Sequence, residues 1–339
     1  MGEKEFSIYI PEYREPVEPQ REILDPVAMI ISDSVDNEGD LISILNRVDA
    51  CLLTMKTRIT RTVLEACPGL KVIAKYGVGV ETIDVEAATA MGIPVTNTPG
   101  INCNAVAEFS IGLTITALRH IQRAKEHLKG GGWKNETFTG RQLSDCVLGI
   151  IGYGNIARLV IDKLNCLGVK RILVYSASNA PTQPDASGVE FTNLQTLLKT
   201  ADLVSIHKAL TPGAEKMISQ KELQMMQPTA YLINTSRGGL INESALIDAL
   251  NKGWIAGAAL DVFDQEPLPR DHPLLSMKNA VLTPHIAGVT IEARREMVMT
   301  VAKNTVRLLT KRAIDPKYVV NPEVLVERDI GCLKGGDAR

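Results

Sequence analysis

The chain has 339 residues, 45% hydrophobic and 22% charged, with a formal net charge of −2. That length exceeds what one hydrophobic core usually fills and predicts two domains, and the near-neutral balance gives no electrostatic case for nucleic acid or an anionic membrane as partner. The opening Met-Gly-Glu-Lys-Glu-Phe lacks the basic-then-apolar order of a secretion signal, and no apolar run reaches membrane-spanning length, so a cytoplasmic protein is expected. Six cysteines, at 51, 67, 103, 146, 166 and 332, form no C-x-x-C pair and have no histidine at metal spacing. They read as reduced thiols, and no metal is expected.

Short apolar runs at 7–10, 27–32, 50–54, 71–75 and 94–96 are separated by helical stretches at 37–47, 60–67 and 85–91. Strands alternating with helices predict a parallel sheet covered on both faces. Directly after the fourth run comes Tyr76-Gly77-Val78-Gly79-Val80. Its N–H groups either hold a carboxylate at the carboxyl edge of the sheet, where open α/β sheets place ligands, or the glycines serve a turn that needs positive φ. From Asn104 to Leu128 the residues Val106, Phe109, Ile111, Leu113, Ile115, Leu118 and Ile121 predict one long helix with more apolar surface than a single face needs. Such a helix suits both a domain link and a subunit interface. Gly130-Gly-Gly132 ends it.

Next comes Val147-Leu-Gly-Ile-Ile-Gly152-Tyr-Gly154-Asn-Ile-Ala157, a buried-strand run that turns through two glycines into the helical pattern Arg158-Leu-Val-Ile-Asp-Lys-Leu. Gly152 permits the tight turn, Gly154 lets a pyrophosphate approach the backbone, and a small residue at 157 lets the helix lie close to the strand. Phosphate then sits on the free N–H groups of the helix N-terminus. The second strand, 171–175, leads to Ser176, where NAD-selective sites carry an acid for the ribose 2′-hydroxyl. Ser176 repels no 2′-phosphate, yet no Arg or Lys follows in Ala177–Glu190 to clamp one. The reading is NADP or NAD with a lean to NADP.

Strands at 202–206, 230–234, 256–261 and 280–283, with helices at 193–200, 220–226 and 243–252, complete a doubly wound domain. Their ends carry His207, Thr235-Ser-Arg237-Gly-Gly, Asp261 and Thr283-Pro-His285. Once a nicotinamide is granted, His285 is the natural proton carrier because imidazole titrates near neutrality. Glu266 can raise its pKa and fix its tautomer, and Arg237 supplies a fork for a carboxylate. Together they suit the reduction of a 2-oxo acid. Singly, each also fits a plain turn, a helix cap or a solvated loop. A last helix, about 290–311, leads into a tail that returns to the first domain. The boundaries expected are 1–103 with 292–339 for a discontinuous substrate domain and 104–291 for the dinucleotide-binding domain.

Several motifs in a fixed order add a family. Lys75-Tyr-Gly-Val-Gly-Val-Glu-Thr-Ile-Asp84, Asn102-Cys-Asn-Ala-Val-Ala-Glu108, Leu148-Gly-Ile-Ile-Gly-Tyr-Gly-Asn-Ile-Ala157, Ile233-Asn-Thr-Ser-Arg-Gly-Gly-Leu-Ile-Asn242, Leu260-Asp-Val-Phe-Asp-Gln-Glu-Pro267 and Leu282-Thr-Pro-His-Ile-Ala-Gly288 resemble the D-isomer-specific 2-hydroxyacid dehydrogenases. The resemblance implies an α/β fold of two doubly wound parallel-sheet domains, a flavodoxin-like substrate domain and a Rossmann coenzyme domain, with a cleft between that closes to exclude water. It implies catalytic Arg237, Glu266 and His285, and a substrate carboxylate held by the Gly77, Val78 and Gly79 backbone. Cofactor contacts are implied at Gly152, Gly154, Asn155, Ile156, Ser176, Thr235 and Asp261, the last beside the nicotinamide carboxamide. A homodimer through the helix 104–128 is implied as well.

Departures from the family pattern bear on substrate. Phosphoglycerate dehydrogenases carry Arg-Ser where this chain has Leu53-Thr54-Met55, which is more similar to glyoxylate and hydroxypyruvate reductases. No regulatory domain is expected after residue 330. The Pro usual after the histidine at 207 is replaced by Lys208-Ala209, and Glu266 stands where formate dehydrogenases carry Gln. Two rivals to a small 2-oxo acid reductase stay open: a 3-phosphoglycerate dehydrogenase without its regulatory domain, and a nucleotide-sensing scaffold like the corepressors of this fold. The intact Arg, Glu and His trio argues against the scaffold.

Overall fold

The computed structural model of the chain describes residues 4–11, 18–54, 56–134, 136–169, 171–176, 188–328 and 330–331. Its strands are β1 (Phe6–Tyr9), β2 (Ala28–Ile31), β3 (Ala50–Leu53), β4 (Val72–Lys75), β5 (Val95–Thr96), β6 (Val147–Ile151), β7 (Arg171–Tyr175), β8 (Val189–Phe191), β9 (Leu203–Ile206), β10 (Tyr231–Asn234), β11 (Gly257–Leu260) and β12 (Ala280–Leu282). Its helices are α1 (Glu18–Leu24), α2 (Glu38–Leu45), α3 (Arg61–Ala66), α4 (Val85–Ala90), α5 (Cys103–Leu118), α6 (Ile121–Lys129), α7 (Asn155–Cys166), α8 (Leu194–Thr200), α9 (Gln220–Met225), α10 (Glu243–Lys252), α11 (Ile291–Leu309) and α12 (Glu323–Glu327). They fall into two compact units, residues 1–101 with 290–339 and residues 102–289.

In the first unit the strands form a parallel sheet in the order β2-β1-β3-β4-β5. Strands β3 and β4 are buried along their whole length. That is why they read as continuous apolar runs rather than alternating ones. Side chains alternate across the sheet: Ile8, Leu52 and Ala74 pack with Leu24, Val298 and Val301, on α1 and α11, while Tyr9, Leu53 and Ile73 pack with Leu41, Val63 and Ala87, on α2, α3 and α4. The four helices α2, α3, α4 and α11 each start on a side-chain cap, from Asn37, Thr60, Asp84 and Thr290. The described part of the tail lies against β5: buried Asn321 accepts from the Val95 amide and donates to the Ile93 carbonyl, and Val319 bridges Thr96.

The second unit is a seven-stranded parallel sheet in the order β12-β11-β10-β9-β6-β7-β8. One face packs Val204, Leu232 and Ala258 against Leu197, Leu223 and Leu246, on α8, α9 and α10. The other packs Leu148, Ile150 and Ile233 against Ile111, Leu118 and Val160, on α5 and α7. The edge strand β8 is one the sequence pattern does not disclose, because its three residues Val-Glu-Phe carry a charge in the middle. Arg171 of β7 holds it through two hydrogen bonds to Glu190.

The expected single helix over 104–128 is two helices. His120 takes a left-handed φ of 54° between them. The reason lies further along the chain: the Leu118 carbonyl accepts from the Arg141 amide, and Gly140 sits so close that a Cβ there would be 2.4 Å from the same carbonyl. With the last turn of α5 capped from outside, the chain redirects. Helix α6 then buries none of its residues, and Ile121 and Leu128 are 51% and 57% exposed. Among the described residues, no helix is long and apolar enough to cross a membrane, and no group of three or more His, Cys, Asp or Glu side chains could hold a metal ion. The five cysteines among them are free; Cys332 lies outside the described residues.

Candidate active site

The order of the second sheet reverses between β6 and β9, and the chain leaves their carboxyl ends at Gly152 and His207. Open α/β sheets bind ligands at such a switch point. Gly152 has φ +99°, and a Cβ on it would lie 2.6 Å from the His207 carbonyl oxygen, so the turn tolerates only glycine. Two residues on, Gly154 begins α7 without any side-chain cap, and a Cβ there would meet nothing within 4 Å. Space above the glycine and uncapped amides at 155–157 fit a pyrophosphate, which would complete the helix N-terminus electrostatically. Asn155 is exposed and Ile156 half-buried at this end, while Ala157 is fully buried against the sheet. Ser176 follows β7 and is half-buried; residues 177–187, where the sequence offers no cation, lie outside the described residues.

Strands β10, β11 and β12 are consecutive neighbours, so the segments leaving their carboxyl ends share one edge. These segments carry Arg237, Asp261 with Glu266, and His285. His285 Nδ1 lies 2.6 Å from Glu266 Oε2, and Glu266 Oε1 accepts from the Phe263 amide at 3.0 Å. Burial works to raise the Glu266 carboxyl, but hydrogen bonds from His285 and the Phe263 amide outweigh it and hold the group below the ordinary carboxylate range. The same hydrogen bond raises the His285 imidazole above its ordinary value against the effect of burial. The pair is therefore an ion pair between the lowered pKa of the carboxyl and the raised pKa of the imidazole. Arg237 is near enough for its charge to lower both groups. The Arg237 and Glu266 segments touch: a Cβ on Gly238 would stand 2.0 Å from the Phe263 carbonyl.

Two buried polar residues shape this edge, and local sequence pattern does not single out their roles. Asn234, fully buried at the end of β10, donates to the Arg237 carbonyl and accepts from the Ser236 amide, which folds the turn that presents Arg237. Asp261, fully buried, accepts from the Thr283 hydroxyl at 2.6 Å and from the Ile286 and Ala287 amides at 2.9 and 2.8 Å. Those three donors flank His285, whose φ is 54°. A non-glycine residue in that region is strained unless its surroundings hold it there, and Asp261 does the holding. Its carboxylate is thus engaged with the His285 segment. The Thr235 hydroxyl shares a 2.7 Å hydrogen bond with Ser110 of α5. His207 shares 2.9 Å with Ser205, and burial pushes its imidazole down to about 4, so it is neutral at working pH.

In the first unit the turn after β4 has Gly77 at φ +101°, and the Gly77 amide donates to Thr98 Oγ1 at 3.0 Å. Gly77 therefore gives the turn its shape rather than a free donor. The Val78 and Gly79 amides donate to no group among the described residues, and Asn97 steadies the turn by donating to the Val78 carbonyl. Lys56, Thr57 and Arg58, after β3, line a cavity of about 700 Å³ with Tyr9, Asp33 and Asn37; Met55 lies outside the described residues.

A glycine turn at the switch point, and an Arg beside a paired Glu and His along the same sheet edge, are the features of a pyridine-nucleotide oxidoreductase. Residues 111–287 match the family model described as D-isomer specific 2-hydroxyacid dehydrogenase, NAD binding domain. The chain is 41% identical to a glyoxylate reductase of Thermofilum pendens over 93% of each chain. It is 36% identical to a D-3-phosphoglycerate dehydrogenase of Methanocaldococcus jannaschii over 92% of this chain and 59% of that one. Among solved structures, the TT0316 protein of Thermus thermophilus matches with a TM-score of 0.84 and 31% identity over 93% of this chain and 99% of that one. An acyclic imino acid reductase solved with NADPH and D-Arg matches with a TM-score of 0.78 and 28% identity over 93% and 99%. The chain belongs to the D-isomer-specific 2-hydroxyacid dehydrogenases, NAD(P)-dependent oxidoreductases that act on small-molecule acids.

Proposed function

We propose that the protein reduces small 2-oxo acids, glyoxylate or hydroxypyruvate foremost, with His285 delivering the proton. The observation that carries this is the 2.6 Å His285–Glu266 pair on the sheet edge that also bears Arg237. A reduced pyridine nucleotide, its pyrophosphate held at the glycine turn and the amides of 155–157, would supply the hydride. His285 gives its proton to the oxygen of the carbonyl, Glu266 keeps the imidazole charged and in one orientation, and Arg237 forks onto the substrate carboxylate and polarises the adjacent carbonyl. In the first unit, Gly77, Val78 and Gly79 form a carboxylate seat of their own, with Gly77 shaping the turn and Val78 and Gly79 as the donors. The glyoxylate reductase relative at 41% identity supports the substrate.

Ser176, in place of an acid, supports NADPH over NADH, as does the NADPH carried by the imino acid reductase. The α5 and α6 segment is proposed as a homodimer interface, and the protein as cytoplasmic. A second reading, a 3-phosphoglycerate dehydrogenase, draws on the 36% identical relative and on Lys56 and Arg58 at the cavity after β3. Initial rates with NADH and NADPH across glyoxylate, hydroxypyruvate, pyruvate and 3-phosphohydroxypyruvate decide: the reading expects the first two to lead with NADPH. Preference for the phosphorylated acid would install the second reading, and no turnover on any would refute both.

A further inference from the structure

Lys75 closes β4 and is fully buried, yet its Nζ has no hydrogen-bond partner among the described residues. Burial pulls the amine down to about 8 while the charge of Glu81 works to raise it, so at neutral pH it still carries its proton. A buried ammonium without a hydrogen-bonding partner is costly. Nothing in the sheet recovers that cost, since neighbouring core positions are filled by apolar residues such as Leu53 and Ile73. What Lys75 adjoins in the chain is the turn at 77–79, whose Val78 and Gly79 amides donate to no group among the described residues while Val78 is 43% exposed. Two unused amides three and four positions along the chain from a buried positive charge offer the elements of a receptor for an anion.

We propose that Lys75 supplies the charge of this receptor, so that a 2-oxo acid whose carboxylate sits on the Val78 and Gly79 amides neutralises the buried ammonium. The proposal rests on the reading of that turn as a carboxylate seat. It makes Lys75 a binding residue with no part in hydride or proton transfer. Glu81 opposes it, because the acid already offsets part of the charge.

The test compares wild type with Lys75→Met, which keeps length without charge, and with Glu81→Gln. Each is measured as the NADPH-loaded enzyme, by glyoxylate kinetics and by calorimetric titration with oxalate, an anion it does not reduce. For Lys75→Met the expected result is a KM for glyoxylate and a Kd for oxalate raised by about tenfold or more. The expected kcat stays within about twofold and the thermal midpoint stays equal or rises, since an orphan charge has been replaced by an apolar group. For Glu81→Gln both constants are expected to fall, which keeps the proposal open to refutation should Lys75→Met not fold. Unchanged KM and Kd in either variant, or a Lys75→Met that loses kcat together with stability, would overturn it. If wild type reduces no 2-oxo acid with either nucleotide, the enzymatic reading fails, and oxalate affinity alone still decides the role of Lys75; wild type that binds no oxalate overturns the proposal.

Discussion

At the scale of single residues, His285 has the most to lose by substitution. Its hydrogen bond to Glu266 at 2.6 Å raises the imidazole, and the carboxylate is depressed in return. His285→Gln keeps a polar side chain of similar reach but has no proton to give, so kcat is expected to fall by about 10²–10⁴-fold while the Kd for NADPH, measured by fluorescence titration, hardly moves. A variant with wild-type kcat would remove His285 from proton transfer. The sign of the pH dependence follows from the same shift. Reduction needs the protonated imidazole, so kcat/KM for the 2-oxo acid is full at low pH and declines as pH rises through a midpoint above the ordinary histidine value. The pair also contributes to stability between two limits. The His285 part is lost as pH rises through its raised pKa, and the Glu266 part is lost as pH falls through its depressed pKa. With side chains 47% and 35% exposed, that contribution is screened and small.

At the scale of elements, glycines that look alike in the sequence have opposite environments. A methyl group on Gly154 meets open space, whereas one on Gly238 would stand 2.0 Å from the backbone of Phe263. Gly154→Ala is therefore expected to keep the thermal midpoint of wild type while raising the KM for NADPH, because the added carbon occupies the approach of the phosphates. Gly238→Ala must push apart the segments carrying Arg237 and Glu266, and is expected to lower kcat/KM by about 10²-fold and stability by ~1–3 kcal/mol, read by kinetics and chemical denaturation. Equal behaviour of the two variants would count against both assignments. The glycine turn and the strands before and after it are legible in the sequence because the information is local: a period, a breaker and a cap within a dozen residues. The break at His120 is not, since Arg141 and Gly140 impose it from a different segment. Lys75 is illegible for a related reason, as a lysine ending a strand ordinarily reaches solvent. Asp261 is singled out by its place at a strand end, but that it clamps the His285 segment depends on the parallel register of β11 with β12, which pairs Leu260 with Leu282.

At the scale of the whole molecule, the surface of α6 sets the assembly expected. A nine-residue helix that buries none of its side chains, with Ile121 51% and Leu128 57% exposed and Trp133 79% exposed just beyond it, gains little from its own unit. Isolated helices of this length are marginal in water, and scattered apolar exposure is ordinary. An apolar stripe on a helix continuous in sequence with the well-packed α5 is better explained if a second copy covers it, since two-fold pairing lets one stripe meet itself. A stable pair needs about 800 Å² from each partner, more than α6 alone presents, so α5 and the segment through Trp133 must share the contact. The double variant Ile121→Glu with Leu128→Glu places four like charges at the centre of such an interface. Wild type is expected to sediment as a dimer and the variant as a folded monomer with an unchanged circular dichroism spectrum. A wild type that sediments as a monomer, or a variant that stays dimeric, would move the interface elsewhere or abolish it.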